Sequence, residues 1–130
     1  MDHKSQPRSV AGFVAILDSL GSKLLSLDQA KKFVELRDST IVGAATNGLQ
    51  GFDLERFRAL TFNDTVIFTY ETGSPATLQE AERFCQLLRL AAGRSMAHGY
   101  PFRGAIAVGD YFVKGTNTVM GPAVSGVLNN

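Results

Sequence analysis

Two carboxylates in this chain stand where an aspartate is poorly suited to a core, and together they suit a divalent cation. Asp18 closes the apolar run Phe13-Val14-Ala15-Ile16-Leu17, and Asp64 interrupts a second one between Phe62 and Thr65-Val66-Ile67-Phe68. Adjacent carboxylates repel one another, and a divalent metal removes that repulsion while favouring the charged form of both. Oxygen-only ligands with no His or Cys cluster nearby select magnesium or manganese, ions usually held by one or two carboxylates plus substrate phosphates. Each aspartate also has a plainer reading. A carboxylate after a strand often caps the next helix, and Asn63-Asp64 is ordinary hairpin-turn chemistry.

The elements needed to bring the two together are legible in the pattern of apolar residues. Residues 10–17 form an uninterrupted apolar run rich in branched side chains, as expected of a central strand buried on both faces. Asp28 is a candidate cap for a helix carrying Ala30, Phe33, Val34, Leu36, Ile41 and Ala45, which Gly43 divides and Asn47-Gly48 ends. Residues 57–62 and 65–70 read as a hairpin around Asn63-Asp64. Thr77 and Glu80 make a capping box for the next helix, with Leu78, Ala81, Cys85, Leu88 and Ala92 on its apolar face. Gly99 and Pro101 stop it. Residues 102–108 give a further buried strand, Gly109-Asp110 a turn, 111–113 the return and 118–120 a last short strand.

The order predicts an α+β fold, a ferredoxin-like βαββαβ kernel with a mostly antiparallel sheet and both helices on one face. A right-handed crossover sets the second strand parallel to the first, and the third fills the gap between them. The hairpin tip then lies beside the exit of strand one, which makes Asp18 and Asp64 predicted neighbours. Other charged residues invite plainer readings. Arg103 suits a strand-end charge reaching solvent, Asp110 a turn, His98 a helix C-terminus, and His3 a frayed leader.

Composition bounds the functions open to such a chain. With 130 residues and a net charge of +1, it is read as a flexible leader over 1–9 and one domain over 10–130, without repeats or linkers. The absence of a Lys/Arg run argues against nucleic acid as a partner. No segment approaches the roughly 20 apolar residues of a membrane span, and the polar N-terminus lacks a signal-peptide core. Cys85, the single cysteine, has no internal disulfide partner, so a reducing, cytoplasmic setting is expected.

The chain resembles the class III nucleotidyl cyclase catalytic domain over roughly residues 10–130. Phe13 through Gly21 looks like that family's first strand with its metal-binding aspartate, Asp18, and Phe62-Asn63-Asp64 looks like the turn bearing the second, with Asn63 where glycine is usual. Phe102-Arg103-Gly104-Ala105-Ile106-Ala107-Val108-Gly109 and Met120-Gly121-Pro122-Ala123-Val124 complete the match. The wording Arg-Gly-Ala-Ile, then Gly-Asp and Gly-Pro-Ala, is similar to the divergent bacterial branch that includes the pyrimidine cyclases of anti-phage signalling.

That resemblance implies a nucleotidyl cyclase turning a nucleoside triphosphate into a 3′,5′-cyclic nucleotide messenger and pyrophosphate with two Mg2+ or Mn2+ ions. It places Asp18, Ser19 and Asp64 at the metals, Ser19-Leu20-Gly21-Ser22 and Lys23 around the phosphates, and Arg103 near the pyrophosphate. It also implies a homodimer with composite sites. Where purine enzymes read the base with a Lys or Glu and an acidic or cysteine partner, this chain has Leu60 and Thr118. Where they orient the ribose and stabilise the transition state with Asn and Arg, it has Ser125 and Asn129. The alternatives are a catalytically silent nucleotide-binding or dimerisation module, and a ferredoxin-like domain whose sheet merely mediates association. The sheet face away from the helices is expected to expose Val, Ile and Phe.

Overall fold

A computed structural model describes residues 8–19, 26–46, 53–62, 65–73, 75–114 and 118–123. Strand β1 (Arg8–Ser19) is followed by helix α1 (Leu27–Thr46), a single 3-10 turn (Leu54–Arg56), strands β2 (Phe57–Phe62) and β3 (Thr65–Glu71), helix α2 (Leu78–Ala97), and strands β4 (Phe102–Lys114) and β5 (Thr118–Met120). The five strands form one sheet in the order β2-β3-β1-β4-β5, and every neighbouring pair runs antiparallel. This is the α+β arrangement expected from the sequence, with β3 filling the gap between β1 and β2.

Local chemistry fixes the helix ends. At α1 the Ser26 hydroxyl accepts from the Gln29 amide at 3.2 Å and the Gln29 side chain accepts from the Ser26 amide at 2.9 Å. Ser26, not Asp28, is therefore the cap, because the Ser-x-x-Gln pair satisfies two orphan amides reciprocally. Asp28 lies within the first turn, where its charge suits the positive end of the helix dipole. Gly43 does not divide α1, which runs through it to Thr46; a glycine in a helix costs only about 1 kcal/mol relative to alanine. The box at α2 is as expected, with Glu80 N donating to Thr77 Oγ1 at 3.1 Å and Thr77 N to Glu80 Oε1 at 2.9 Å. Gly99, at φ +85°, reverses the chain after α2. The Ser95 hydroxyl then donates to the Tyr100 carbonyl at 2.6 Å.

Alternation along β1 divides the core between the two faces of the sheet. Phe13 and Ala15 join Val66, Phe68 and Tyr70 of β3 under Phe84, Leu87, Leu88 and Ala91 of α2. Phe13 and Phe84 stack with ring centroids 5.3 Å apart. Helix α1 reaches the same side through Phe33, whose ring meets Tyr100 edge-on at 5.2 Å. The buried stripe of α2 is thus Phe84, Leu87, Leu88, Ala91 and Ser95, rotated from the expected one. Leu78 and Cys85 are exposed, since Phe84 and the Leu87-Leu88 pair repeat at the same spacing and fill more volume.

Two further expectations are corrected. Gly109-Asp110 is no turn: β4 is continuous, with Gly109 opposite Gly12 and Asp110 opposite Ala11. The long β1 offers partners along its whole length, so the ladder carries β4 straight through. On the helix-free face Val14, Ile16, Tyr111, Val113 and Ala123 form a second buried cluster, because the segment after β5 brings Ala123 over the sheet. The exposed apolar residues of β4 are Ile106, Val108 and Phe112, which pair with Ala15, Phe13 and Ser9 and so stand on the helix side, beyond the cover of α2.

Phe84 lies at the centre of this packing, only 1 % exposed. Phe84→Ala is expected to lower unfolding free energy by about 3–5 kcal/mol, measured as a drop in the urea midpoint at unchanged slope.

Candidate functional site

The even-numbered positions of β1 face away from the helices, and the last of them is Asp18. It pairs with Thr65 on β3 and with Arg103 on β4, and directly opposed residues of antiparallel strands share a face. Thr65 pairs in turn with Phe62 of β2. One row across the sheet end thus reads Phe62, Thr65, Asp18, Arg103. The Thr65 hydroxyl donates to Asp18 Oδ1 at 2.7 Å, while Arg103 is exposed and joins no ion pair among the described residues. Gly104 follows Arg103 and lets β4 press against β1 here, since a Cβ at that position would strike the Ile16 carbonyl oxygen.

Asp64 lies outside the described residues, as do Leu20, Gly21, Ser22, Lys23 and Ser125. Asp64 is nevertheless the residue covalently preceding Thr65, the partner of Asp18. Ser19 ends β1 opposite Phe102. Leu60 falls one row in from Asp18 on the same face, through the pairs Leu60 with Ile67 and Ile67 with Ile16. Thr118 pairs with Lys114 at the far end of β4, so a single copy does not bring it to Asp18.

The donor set suits a hard cation. Asp18 is half-buried, and its Oδ1 is engaged by a neutral hydroxyl, with no cationic side chain bonded to it among the described residues. No group of three or more His, Cys, Asp or Glu gathers among the described residues.

A second polar group occupies the other end of the same face. Arg8 grips Glu71 through both carboxylate oxygens, at 2.7 and 3.1 Å, and Arg58 donates to Glu71 Oε1 at 2.7 Å. Burial works to raise the Glu71 carboxyl, but the hydrogen bonds and charges of the two guanidinium groups outweigh it and hold the group below its ordinary value. Beside them, burial pushes the Tyr111 phenol up to about 12. The Thr69 hydroxyl is close to that phenol, yet neither oxygen makes a hydrogen bond of good geometry. Sequence reasoning missed Thr65, Glu71 and Tyr111. Their signal was strand register, which sets Thr65 across from Asp18 once β1 and β3 are aligned antiparallel.

Comparison with known proteins follows the fold. No family model matches the sequence, and no curated protein matches it. Among solved structures, the dimeric guanylyl cyclase domain of the RhoGC fusion protein from the aquatic fungus Blastocladiella emersonii superposes with a TM-score of 0.64 at 13% identity, covering 96% of this chain and 75% of that one. The catalytic core of a rhodopsin-guanylyl cyclase with converted specificity, solved with ATPalphaS, gives 0.60 at 12% identity, over 96% of this chain and 73% of that one. The guanylyl cyclase Cya2 gives 0.55 at 16% identity, over 96% and 70%. The chain has the fold of a nucleotidyl cyclase catalytic domain. No helix among the described residues is long and apolar enough to cross a membrane.

The Glu71 cluster carries a pH dependence. Because its folded-state pKa is depressed, its contribution is present above the unfolded value of about 4.5 and is lost as pH falls through the lower folded value. In acid titrations followed by circular dichroism, the parent is expected to lose stability steeply below pH 4.5. Glu71→Gln should start less stable at neutral pH and show a flatter acid limb.

Proposed function

We propose that this chain is a nucleotidyl cyclase. The observation that carries the reading is that Asp18, at the exit of β1, pairs with Thr65, the residue following Asp64, within a sheet and helix arrangement shared with guanylyl cyclase domains. The reaction closes a ring on a nucleoside triphosphate. The ribose 3′-oxygen forms a bond to the α-phosphorus, the bond from that phosphorus to the bridging oxygen breaks, pyrophosphate leaves with the electron pair, and the hydroxyl proton passes to water.

The side chains divide the work. Asp18, Asp64 and Ser19 would hold Mg2+ or Mn2+. Two such ions, when bound, lower the pKa of the attacking hydroxyl and neutralise the triphosphate. Amides of Ser19, Leu20, Gly21 and Ser22, with Lys23, cradle the phosphates. Arg103, exposed at the same sheet end as Asp18, meets the charge that builds on pyrophosphate. Leu60, Thr118 and Ser125 border base and ribose. An apolar Leu60 and a neutral Thr118 lack the charged partners that read a purine, which favours a pyrimidine and the messenger role in anti-phage defence that the Arg103-Gly104 and Gly121-Pro122-Ala123 segments resemble. The site is completed by a head-to-tail homodimer in the cytosol, since Thr118 and Asp18 stand at opposite ends of one sheet.

Purified protein incubated with Mn2+ and each of the four ribonucleoside triphosphates is expected to release a cyclic monophosphate and pyrophosphate, fastest with CTP or UTP, detected by mass spectrometry. Asp18→Asn and Asp64→Asn should each reduce the rate at least ~100-fold with the melting temperature unchanged, the scale of losing a group that stabilises charge in the transition state. Folded protein that binds triphosphate without turnover is instead a silent nucleotide-binding module.

A further inference from the structure

Asp18 has a cross-strand neighbour on either side, and only one of them is bonded to it. Thr65 Oγ1 donates to Asp18 Oδ1 at 2.7 Å, the usual length of a well-formed hydroxyl hydrogen bond and the upper end of the charge-assisted range. The terminal torsion of an aspartate is broad and two-fold, so a carboxylate at the open end of a strand rotates unless something holds it. Here the holder is rigid. Thr65 is β-branched with a restricted χ1, and its backbone is locked in register with both Asp18 and Phe62. The bond engages Oδ1 and, among the described residues, leaves Oδ2 as the oxygen without a protein partner, and so the more open to a cation.

The geometry points to Thr65 as a positioning residue that presents Asp18 to a metal through one oxygen and so selects the kind of ion bound. This rests on the reading of Asp18 as a metal ligand. A carboxylate confined to one-oxygen ligation suits the small octahedral ions Mg2+ and Mn2+. Ca2+, with six to eight ligands, readily draws both oxygens of one carboxylate. An outer hydrogen bond of this kind is commonly worth 10- to 100-fold in metal affinity. Thr65 serves equally well as a branched strand residue whose hydroxyl happens to find an acceptor, and valine separates the two roles. It keeps the shape and strand preference and removes only the donor.

The experiment titrates Mn2+ into the full chain, counting free ion by electron paramagnetic resonance, then displaces it with Ca2+. Parent, Thr65→Val, Thr65→Ser and Asp18→Ala are compared, with melting temperatures recorded without metal. Thr65→Val is expected to bind Mn2+ about tenfold more weakly and to lose it to Ca2+ at a lower Ca2+ to Mn2+ ratio. Thr65→Ser should restore both, and the metal-free melting temperature of Thr65→Val should match the parent. Equal Mn2+ affinity and equal Ca2+ displacement in parent and Thr65→Val overturn the positioning role while leaving Asp18 a ligand. If parent and Asp18→Ala bind Mn2+ alike, the metal reading itself fails, and the role of Thr65 falls with it.

Discussion

Everything at the candidate site depends on the register of β1 between β3 and β4. Side chains alternate along a strand, so a slip of one residue would carry Asp18 to the helix side and bring Leu17 to the open one. Two ladders hold it. Phe13 and Ala15 must enter the core under Phe84, and Val14 and Ile16 must enter the second cluster with Tyr111 and Val113. A slip would exchange the two sets, forcing the Phe13 ring into the space that Val14 and Ile16 fit and leaving a void under Phe84, so the shapes of the two clusters together leave one register. Asp18 inherits its face from residues that do no chemistry.

The same constraint explains the segregation of the molecule. Both helices pack on one side, where α2 brings Leu87 and Ala91 over Phe13 and Phe68. The opposite side is left to β-branched residues at its centre and to charged or hydroxyl groups at its two ends. Asp18, Thr65 and Arg103 stand at one end, Arg8, Arg58 and Glu71 at the other. These ends differ in kind. At the Glu71 end two guanidinium groups already satisfy the carboxylate, which makes it a structural tie between the start of β1 and the β2–β3 hairpin. At the Asp18 end the carboxylate has, among the described residues, a single neutral donor.

Element types were readable in the sequence because each rests on short-range chemistry. The Thr77 to Glu80 box, the branched run before Asp18 and the two-residue gap between β2 and β3 all report their own structure. What escaped was chemistry decided by partners distant in the chain. Gly109-Asp110 has the composition of a turn, yet β1 extends far enough to pair with it and draws it into a ladder. The α2 sequence offers two apolar stripes at helical spacing, and only the sheet beneath decides that Phe84 goes in and Cys85 out. Ser26 outcompeted Asp28 as a cap because Gln29 lies three residues after it. At the site, Asp18 was legible as a candidate from its odd placement after an apolar run. Thr65 was invisible, since nothing in a lone threonine marks it until the β1–β3 register is known.

The length of β4 sets the last constraint. Arg103, second in this 13-residue strand, stands beside Asp18, and Lys114 closes the strand beside Thr118. At about 3.4 Å per residue, Arg103 and Lys114 are separated by roughly 37 Å, far more than any side chain spans and more than a nucleotide bridges. A bound triphosphate that meets Asp18 and Thr118 at once must therefore draw them from different copies. In the homodimer proposed above, a two-fold axis perpendicular to the strands would set the Asp18 end of one copy over the Thr118 end of its partner, and the same operation would build a second identical site. One copy with Ile16 and Val14 already covered by its own Ala123 has little apolar reason to associate through the middle of that face. Association would instead be governed by what the two ends hold between them, making assembly and substrate binding one coupled equilibrium.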